Sequence, residues 1–361
     1  MTHDTAGHAD MTYGIQSGQV FDFDAYVSAR RNLIEERLDR YLTSDNSGIL
    51  WESMRYSVLS GGKRLRAILC LAAAEAMALN QPKKNLDLDD VIEIALPCAC
   101  AIEMVHAMSL IHDDLPAMDN DDLRRGKPTN HKVFGEAVAL LAGDALLMLA
   151  NNILIDETPR SVDSDSLLSV VSELSKATGP EGMVGGQVAD MIYTGVPGRE
   201  SQTQENGLMP SGGVEIIVHP EADGVCDAAP VLTAEILEEI HRGKTGALIR
   251  FSVWSGARLI GAPTEKLESL ARFGEILGLA FQIADDLLDV TGDAATLGKT
   301  PGKDQATDKA TFVRLFGVEG ARARLKELEQ QGLLLVGEGS IDNAGIPALK
   351  ALLQYAIHRS H

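Results

Sequence analysis

Long apolar stretches rich in Ala and Leu follow one another through this chain, with almost no alternating Val/Thr/Tyr runs to suggest strands. Apolar residues recurring every three to four positions over such lengths are buried most simply by helix. Helical segments are expected at about 23–42, 49–77 (broken at Gly61-Gly62), 88–111, 136–155, 166–177, 235–259, 264–290 and 318–330. In the first of these, Leu33, Ile34, Leu38 and Leu42 fall near one face. Abundant Ala and Gly let helices approach closely, so a core can be dense although only 4% of residues are aromatic. The expected fold is a single all-α domain over residues 21–361, behind a mobile polar arm at 1–20. Two stretches break the pattern. Residues 195–230 mix Gly, Pro and polar tracts with one short β-like run, 214–218, and read as an inserted loop. Residues 291–308 form a loop rich in Gly, Lys and Asp.

Charge narrows the possible functions. The 361 residues hold 32 Lys+Arg against 52 Asp+Glu, a net charge of −20, which disfavours nucleic acid as a partner and leaves carboxylates to hold divalent metal. The four cysteines, Cys70, Cys98, Cys100 and Cys226, form no CxxC pair and no disulfide framework, and Cys98 and Cys100 are expected in the core. No stable membrane span is expected: Asp144, Asn151 and Asn152 interrupt one apolar stretch, and Glu93, Glu103 and His106 the other. The polar, acidic start lacks a signal core and the Arg-rich character of a transit peptide.

Three constellations carry chemistry. From His112 to Arg125, five aspartates (Asp113, Asp114, Asp119, Asp121, Asp122) and then Arg124 and Arg125 follow an apolar helix. Carboxylates this dense repel unless cations neutralise them, and Mg²⁺ takes one or two carboxylates together with substrate phosphate oxygens and water. A solvated acidic loop is the competing explanation. The second constellation, Gln282-Ile283-Ala284-Asp285-Asp286-Leu287-Leu288-Asp289, lies inside an otherwise apolar helix, with Asp285 and Asp289 on one face. Acidic residues embedded this way are hard to explain by solvation. Two such sites suggest two metal clusters around one anionic group. The third is cationic: Lys63 and Arg66 on the first turns of a helix, Arg124 and Arg125, Lys244 with Thr245, and Lys299, Lys303 and Lys309. Singly, each is an ordinary surface charge; together they fit two diphosphates bound side by side. His106 lies two turns before Asp113, and Gln187 and Asp190 stand at i, i+3 in an apolar context.

With GGKRLR, MSLIHDDLPAMDNDDLRRGKPTNHKVFGE, AGDAL, GGQVADM, HRGKTGAL, FQIADDLLDVTGD and LGKTPGKDQATDKATF in this order, the chain resembles the trans-isoprenyl diphosphate synthases. Within them it is most similar to the short-chain geranylgeranyl diphosphate synthases of plants, algae and cyanobacteria. The resemblance implies the isoprenoid synthase fold, long helices around a central cavity, in a homodimer. It implies head-to-tail condensation of isopentenyl diphosphate with C5, C10 or C15 allylic diphosphates, dependent on Mg²⁺ with Mn²⁺ able to substitute. Carried over by position, Asp113, Asp114 and Asp119 bind metal from one wall. Asp285 and Asp289 bind it from the other, Asp286 belonging to the same catalytic motif and Asp190 supporting a metal. Lys244, also counted as catalytic, joins Arg124, Thr245, Gln282, Lys299 and Lys309 in holding the allylic diphosphate. Lys63, Arg66, His106 and Arg125 hold isopentenyl diphosphate, and Gln187 lines the cavity. The leaving diphosphate takes the released proton. Ala67 departs from the family, which usually has Pro after Arg66.

Product length is argued along the helix that precedes Asp113. Ser109 and Met108, four and five residues before it, lie about one turn below the metals. Relatives that stop at C15 tend to carry an aromatic there. Met is slimmer and flexible, so a C20 product is expected, feeding isoprenoid and carotenoid biosynthesis. A C15 or longer-chain synthase, a non-catalytic subunit and a class I terpene cyclase are the rivals. The complete aspartate sets and the absence of paired CxxxC motifs count against the subunit, and Asp285-Asp286-Leu287-Leu288-Asp289 counts against the cyclase. The expected location is the cytoplasm, or the plastid stroma for a protein whose transit peptide has been removed.

Overall fold

The computed structural model describes residues 21–43, 47–79, 86–194, 233–291, 311–337 and 346–359. Asp22 opens α1 (Phe23–Leu42) by accepting from Ala25 N at 3.0 Å, and the helix buries Tyr26, Arg30, Ile34, Leu38 and Leu42 along one stripe. Leu33 packs beside that stripe, partly buried. α2 (Ile49–Val58) and α3 (Leu65–Leu79) flank the Gly61-Gly62 turn. α4 (Leu88–Asp113) is capped by Asp87, which accepts from Asp90 N at 2.8 Å. Next come a small hairpin, β1 (Leu123–Arg124) with β2 (Lys127–Pro128), and α5 (Asn130–Phe134), α6 (Glu136–Asp156) and α7 (Ser164–Thr178). α8 (Met183–Thr194) follows, then α9 (Ala234–His241), a π-helical turn (Arg242–Gly246) and α10 (Ala247–Ile260). α11 (Thr264–Thr291), α12 (Phe312–Gly337, broken at Gly317) and α13 (Ile346–His358) complete the order.

The all-α expectation holds, and the expected helical segments are present. Three helices go beyond them: the short α5, α8 and α13. α8 carries Gly185-Gly186, which lowers its intrinsic propensity, so packing rather than propensity holds it. α13 buries Leu349, Leu352, Leu353 and Ala356, a helical spacing that the sequence carries plainly. Residues 1–20, the 195–230 segment with its 214–218 run, Cys226, and the lysines at 299, 303 and 309 lie outside the described residues.

α4 and α10 form the centre, packed on α3, α6 and α11. Helices apolar on every side belong in a core, and Ala72, Ala73, Ala74, Ala95, Ala99, Ala101, Cys98 and Cys100 are all fully buried there. One buried polar contact ties α1 to α3: Arg30 Nε donates to Glu75 Oε1 at 2.7 Å, and Tyr26 OH to Glu75 Oε2 at 3.0 Å. By length and composition alone, both α4 and α6 could cross a membrane, despite the interrupting polar residues. α4 is buried over most of its surface, whereas α6 exposes Leu141, Met148 and Ile155, each seven residues apart.

Candidate active site

α4 delivers the first aspartates. It ends at Asp113, and Pro116 cannot continue it. The chain folds back through the hairpin, whose turn residues Arg125 (φ 53°) and Gly126 (φ 74°) both adopt the left-handed backbone that a two-residue turn requires. This turn sends neighbouring arginines to different partners. Arg124 returns to Asp114, its Nε 2.8 Å from Oδ1 and 2.9 Å from Oδ2, and its Nη2 2.5 Å from Oδ1. Asp114 is buried, and both of its oxygens accept from Arg124. Asp113 is half-buried. Burial, with Asp119 and Asp114 adding to it against Lys244 and Arg124, pushes its carboxyl up to about 6.

A carboxylate crowded by a second one is a donor whose charge a divalent cation offsets, so the residues fit the implied metal. Among the described residues no three Asp, Glu, His or Cys side chains lie close enough to hold an ion alone.

The opposing side is assembled from three segments in backbone contact. A Cβ on Gly186 of α8 would lie 2.1 Å from Lys244 N, and one on Gly278 of α11 would lie 2.6 Å from Gly246 Cα. Glycine permits both approaches. They gather Gln187 and Asp190 of α8, Lys244 and Thr245 of the π-helical turn, and Gln282 and Asp285 of α11. Extra-residue turns of this kind often mark functional sites. Lys244 Nζ meets Asp190 Oδ2 at 2.5 Å. Burial opposes its charge, but Asp190, Asp113 and Asp119 outweigh it and hold Lys244 above the usual lysine pKa. Thr245 Oγ1 donates to Gln282 Oε1 at 2.9 Å. Asp289 stands exposed one turn beyond Asp285. Asp286 is buried and accepts from Phe312 N at 2.7 Å and from Gln282 Nε2 at 3.1 Å. Lys299 and Lys309 lie outside the described residues.

Arg66, Arg125, Arg124 and Arg64 lie within electrostatic reach of His106, two turns before Asp113 on α4. Arg125 donates to Gly61 O, and its guanidinium occupies the space a Cβ on Gly62 (φ 146°) would need, 2.9 Å from Nη1. Lys63 is exposed and precedes α3 rather than riding on its first turn; its Nζ lies 5.6 Å from the Tyr355 ring centroid. Arg66 does sit in that first turn. Burial lowers its pKa, with Arg359 and Arg125 pushing the same way against Glu103 and Asp285. His106 is held well below the ordinary histidine value by burial and then by Arg66, Arg125, Arg124 and Arg64. The buried Nε of Arg66 has no hydrogen-bond partner among the described residues. Crowded cations with an unmet donor form a setting that an anion completes. Met108 is buried on α4, and Ser109 Oγ donates to His106 O at 2.9 Å.

One residue of the site was not anticipated. Arg359 donates to Asp285 Oδ1 at 2.6 Å and to Phe281 O at 2.9 Å, its guanidinium 3.6 Å from the Phe281 ring centroid. The terminal sequence offers only a mildly basic stretch, and the pairing exists through α13 packing on α11.

His241, at the end of α9, carries a pH signature. Burial is the main cause of its pKa falling to about 4, with Asp190 opposing and Lys244 adding to the shift. An unfolded histidine titrates near 6.5, so between about pH 6.5 and 4 the unfolded chain takes up a proton that the folded one does not. Stability therefore falls on acidification through that window, by on the order of 2–3 kcal/mol at its acid end. His241→Asn is expected to melt with a shallower pH dependence across that range. Equal slopes for variant and wild type would remove His241 from the account.

The chain is similar to known proteins along most of its length. The family model described as polyprenyl synthetase matches residues 47–333. A chloroplastic geranylgeranyl pyrophosphate synthase of Capsicum annuum is 40% identical over 346 residues, covering 96% of this chain and 81% of the relative. A farnesyl diphosphate synthase of Geobacillus stearothermophilus is 40% identical over 303 residues, covering 84% of this chain and 87% of the relative. The crystal structure of an FPP/GFPP synthase from Zymomonas mobilis superposes with a TM-score of 0.70 at 32% identity, covering 92% of this chain and 99% of that one.

Proposed function

Because the chain belongs to the polyprenyl synthetase family and has trans-prenyl diphosphate synthase activity on the isoprenoid synthase fold, we propose that it makes geranylgeranyl diphosphate (C20). It would do so by adding isopentenyl diphosphate to C5, C10 and C15 allylic diphosphates. The observation that carries this reading is a juxtaposition at the end of α4. Asp113 lies within electrostatic reach of Lys244 and Arg124, Asp119 within that of Lys244, and His106 is crowded by Arg66 and Arg125 two turns away.

In this reading Lys244, Thr245, Gln282 and Arg124 hold the allylic diphosphate, and Arg66, Arg125, His106 and Lys63 hold isopentenyl diphosphate. Mg²⁺, with Mn²⁺ able to substitute, would be held by Asp113, Asp114 and Asp119 on one side and by Asp285 with Asp289 on the other, Asp190 in support, and would supply neutralisation of the departing diphosphate. The allylic C–O bond breaks with its electron pair leaving on diphosphate. The isopentenyl double bond attacks the allylic carbon, and loss of a proton to the departing diphosphate restores a double bond. Lys244 and Arg124 stabilise the charge that develops on the leaving group, in positions fixed before reaction by Asp190 and Asp114. In the homodimer this reading includes, a second copy covers the exposed Leu141, Met148 and Ile155 face of α6.

C20 over C15 rests on Met108, slim and flexible where an aromatic would block the tail about one turn below Asp113. The test incubates enzyme, Mg²⁺ and labelled isopentenyl diphosphate with each allylic starter and sizes the dephosphorylated products. A dominant C20 alcohol is expected, and Met108→Phe is expected to move the main product to C15. A wild type that stops at C15 refutes the length argument, and absence of elongation by folded protein refutes the whole reading.

A further inference from the structure

Arg64 stands between Lys63 and Arg66 in sequence, yet its side chain is spent inside the protein. Its Nη1 donates to Glu103 Oε2 at 3.2 Å and its Nη2 to Val58 O at 2.7 Å, while Nε lies 3.6 Å from Glu35 Oε1. The side chains of Arg64 and Glu103 are each 4% exposed. The Arg64 backbone is left-handed (φ 52°), a conformation that costs any residue with a Cβ and persists only where the surroundings impose it. Here a buried ion pair imposes it.

Glu103 has a second duty. Its Oε1 accepts from Ala67 N at 3.4 Å. Ala67 is the third residue of α3, so its N–H is one of those that a helix start leaves without an intrahelical partner. An arginine before the helix offers no side-chain acceptor to cap it, and the cap comes from α4 instead. One carboxylate thus grips both the residue that precedes α3 and the first turn of α3.

That first turn carries Arg66, whose buried Nε is an open donor among the described residues, and Glu103 stands one turn before His106 on α4. The segment that Arg64 pins also seats Arg125, through Gly61 O and the space over Gly62. Like charges gathered this closely repel. Burial lowers the pKa of both Arg66 and Arg125, and Glu103 opposes the fall in each.

We infer that Glu103 and Arg64 are positioning residues for isopentenyl diphosphate: through Arg64 and the Ala67 N–H, Glu103 ties the start of α3 to α4 and so keeps Arg66 and Arg125 beside His106 before the anion arrives. The pair acts through those three residues and not on the anion itself. The inference rests on the proposal that Arg66, Arg125 and His106 hold isopentenyl diphosphate.

Two variants of the full-length protein test it. Glu103→Asp keeps the charge and withdraws the carboxylate by one methylene. Arg64→Met combined with Glu103→Leu removes a neutral pair and leaves no buried charge orphaned. The measurements are the Kd of isopentenyl diphosphate by calorimetry without Mg²⁺ or allylic substrate, the KM of each substrate in turnover, and the melting temperature. Both variants are expected to weaken isopentenyl diphosphate about tenfold in Kd and KM, with the allylic KM within about twofold of wild type. A pair that only stabilised the fold would change the melting temperature and leave the Kd alone. That result in Glu103→Asp overturns the inference, and so does an equal rise in both KM values. If the double variant does not fold, Glu103→Asp decides. A wild type that binds isopentenyl diphosphate without elongating it refutes the proposed reaction alone, because the Glu103→Asp Kd still decides the inference. A wild type that does not bind it refutes the site on which both rest.

Discussion

An Asp113→Asn enzyme is expected to lose about 10³- to 10⁵-fold in kcat/KM for elongation while melting at or above the wild-type temperature. The two effects have one origin. Burial and the neighbouring Asp119 hold the Asp113 carboxyl up at about 6, so at neutral pH the metal-free protein maintains a charge its surroundings disfavour. Replacing that oxygen by an amide keeps the shape and removes the repulsion, which favours the fold. The same replacement removes the negative charge that would hold a divalent cation against the departing diphosphate. Loss of several kcal/mol of charge stabilisation corresponds to that fall in rate, since about 1.4 kcal/mol is tenfold. Steady-state kinetics and calorimetric melting check both halves. A variant that loses activity because it melts far below wild type would show Asp113 to be structural.

The second large effect is on stability alone. Glu75→Ala is expected to destabilise the protein by about 3–5 kcal/mol. Glu75 receives both Arg30 Nε and Tyr26 OH, and the Arg30 side chain is 4% exposed. Truncation leaves a guanidinium charge and a hydroxyl buried without their acceptor, and no water reaches them readily. The liability is the orphaned charge rather than the loss of the pair. Arg30→Met combined with Glu75→Leu is therefore expected to recover most of the loss. Urea unfolding of the single and double variants measures this. If the double variant is as unstable as Glu75→Ala, the pair itself carries the stabilisation. Neither residue lies in the active site, so kcat at low temperature is expected to follow wild type in the double variant.

The sequence made the helices legible because α4, α6, α10 and α11 bury wide apolar faces, and a periodic apolar face is a local signal. The aspartate motifs were legible because acidic residues within apolar helices have few uses. The partners those aspartates take within the fold were not. Asp114 and Asp286 each follow an aspartate in an Asp-Asp pair, and in both pairs the second carboxylate is the buried one. It is committed to a partner, Arg124 in one case and Phe312 N in the other. Successive residues on a helix point about 100° apart, so the pairs had to divide, but the partners come from elsewhere in the fold. Arg359 was hidden for the same reason: 74 residues separate it from Asp285. Lys63 was placed one step too far into α3 because the left-handed Arg64 (φ 52°) delays the first helical turn to Leu65.

The glycine contacts that join α8, the π-helical turn and α11 have a consequence for the energetics of charge separation. With Gly186 against Lys244 N and Gly278 against Gly246 Cα, main chain lies directly on main chain, and no side-chain rotamer there can change to let the segments drift. Lys244 and Gln282 are thus carried on a frame that has little elastic response. When an allylic diphosphate ionises in water, solvent dipoles must rotate to meet the new charge, and that rotation is a large part of the barrier. A stiff frame presents dipoles already turned, so the reorganisation energy of the step is small. In this protein the smallest side chains, remote from the bond that breaks, limit how far its surroundings have to move.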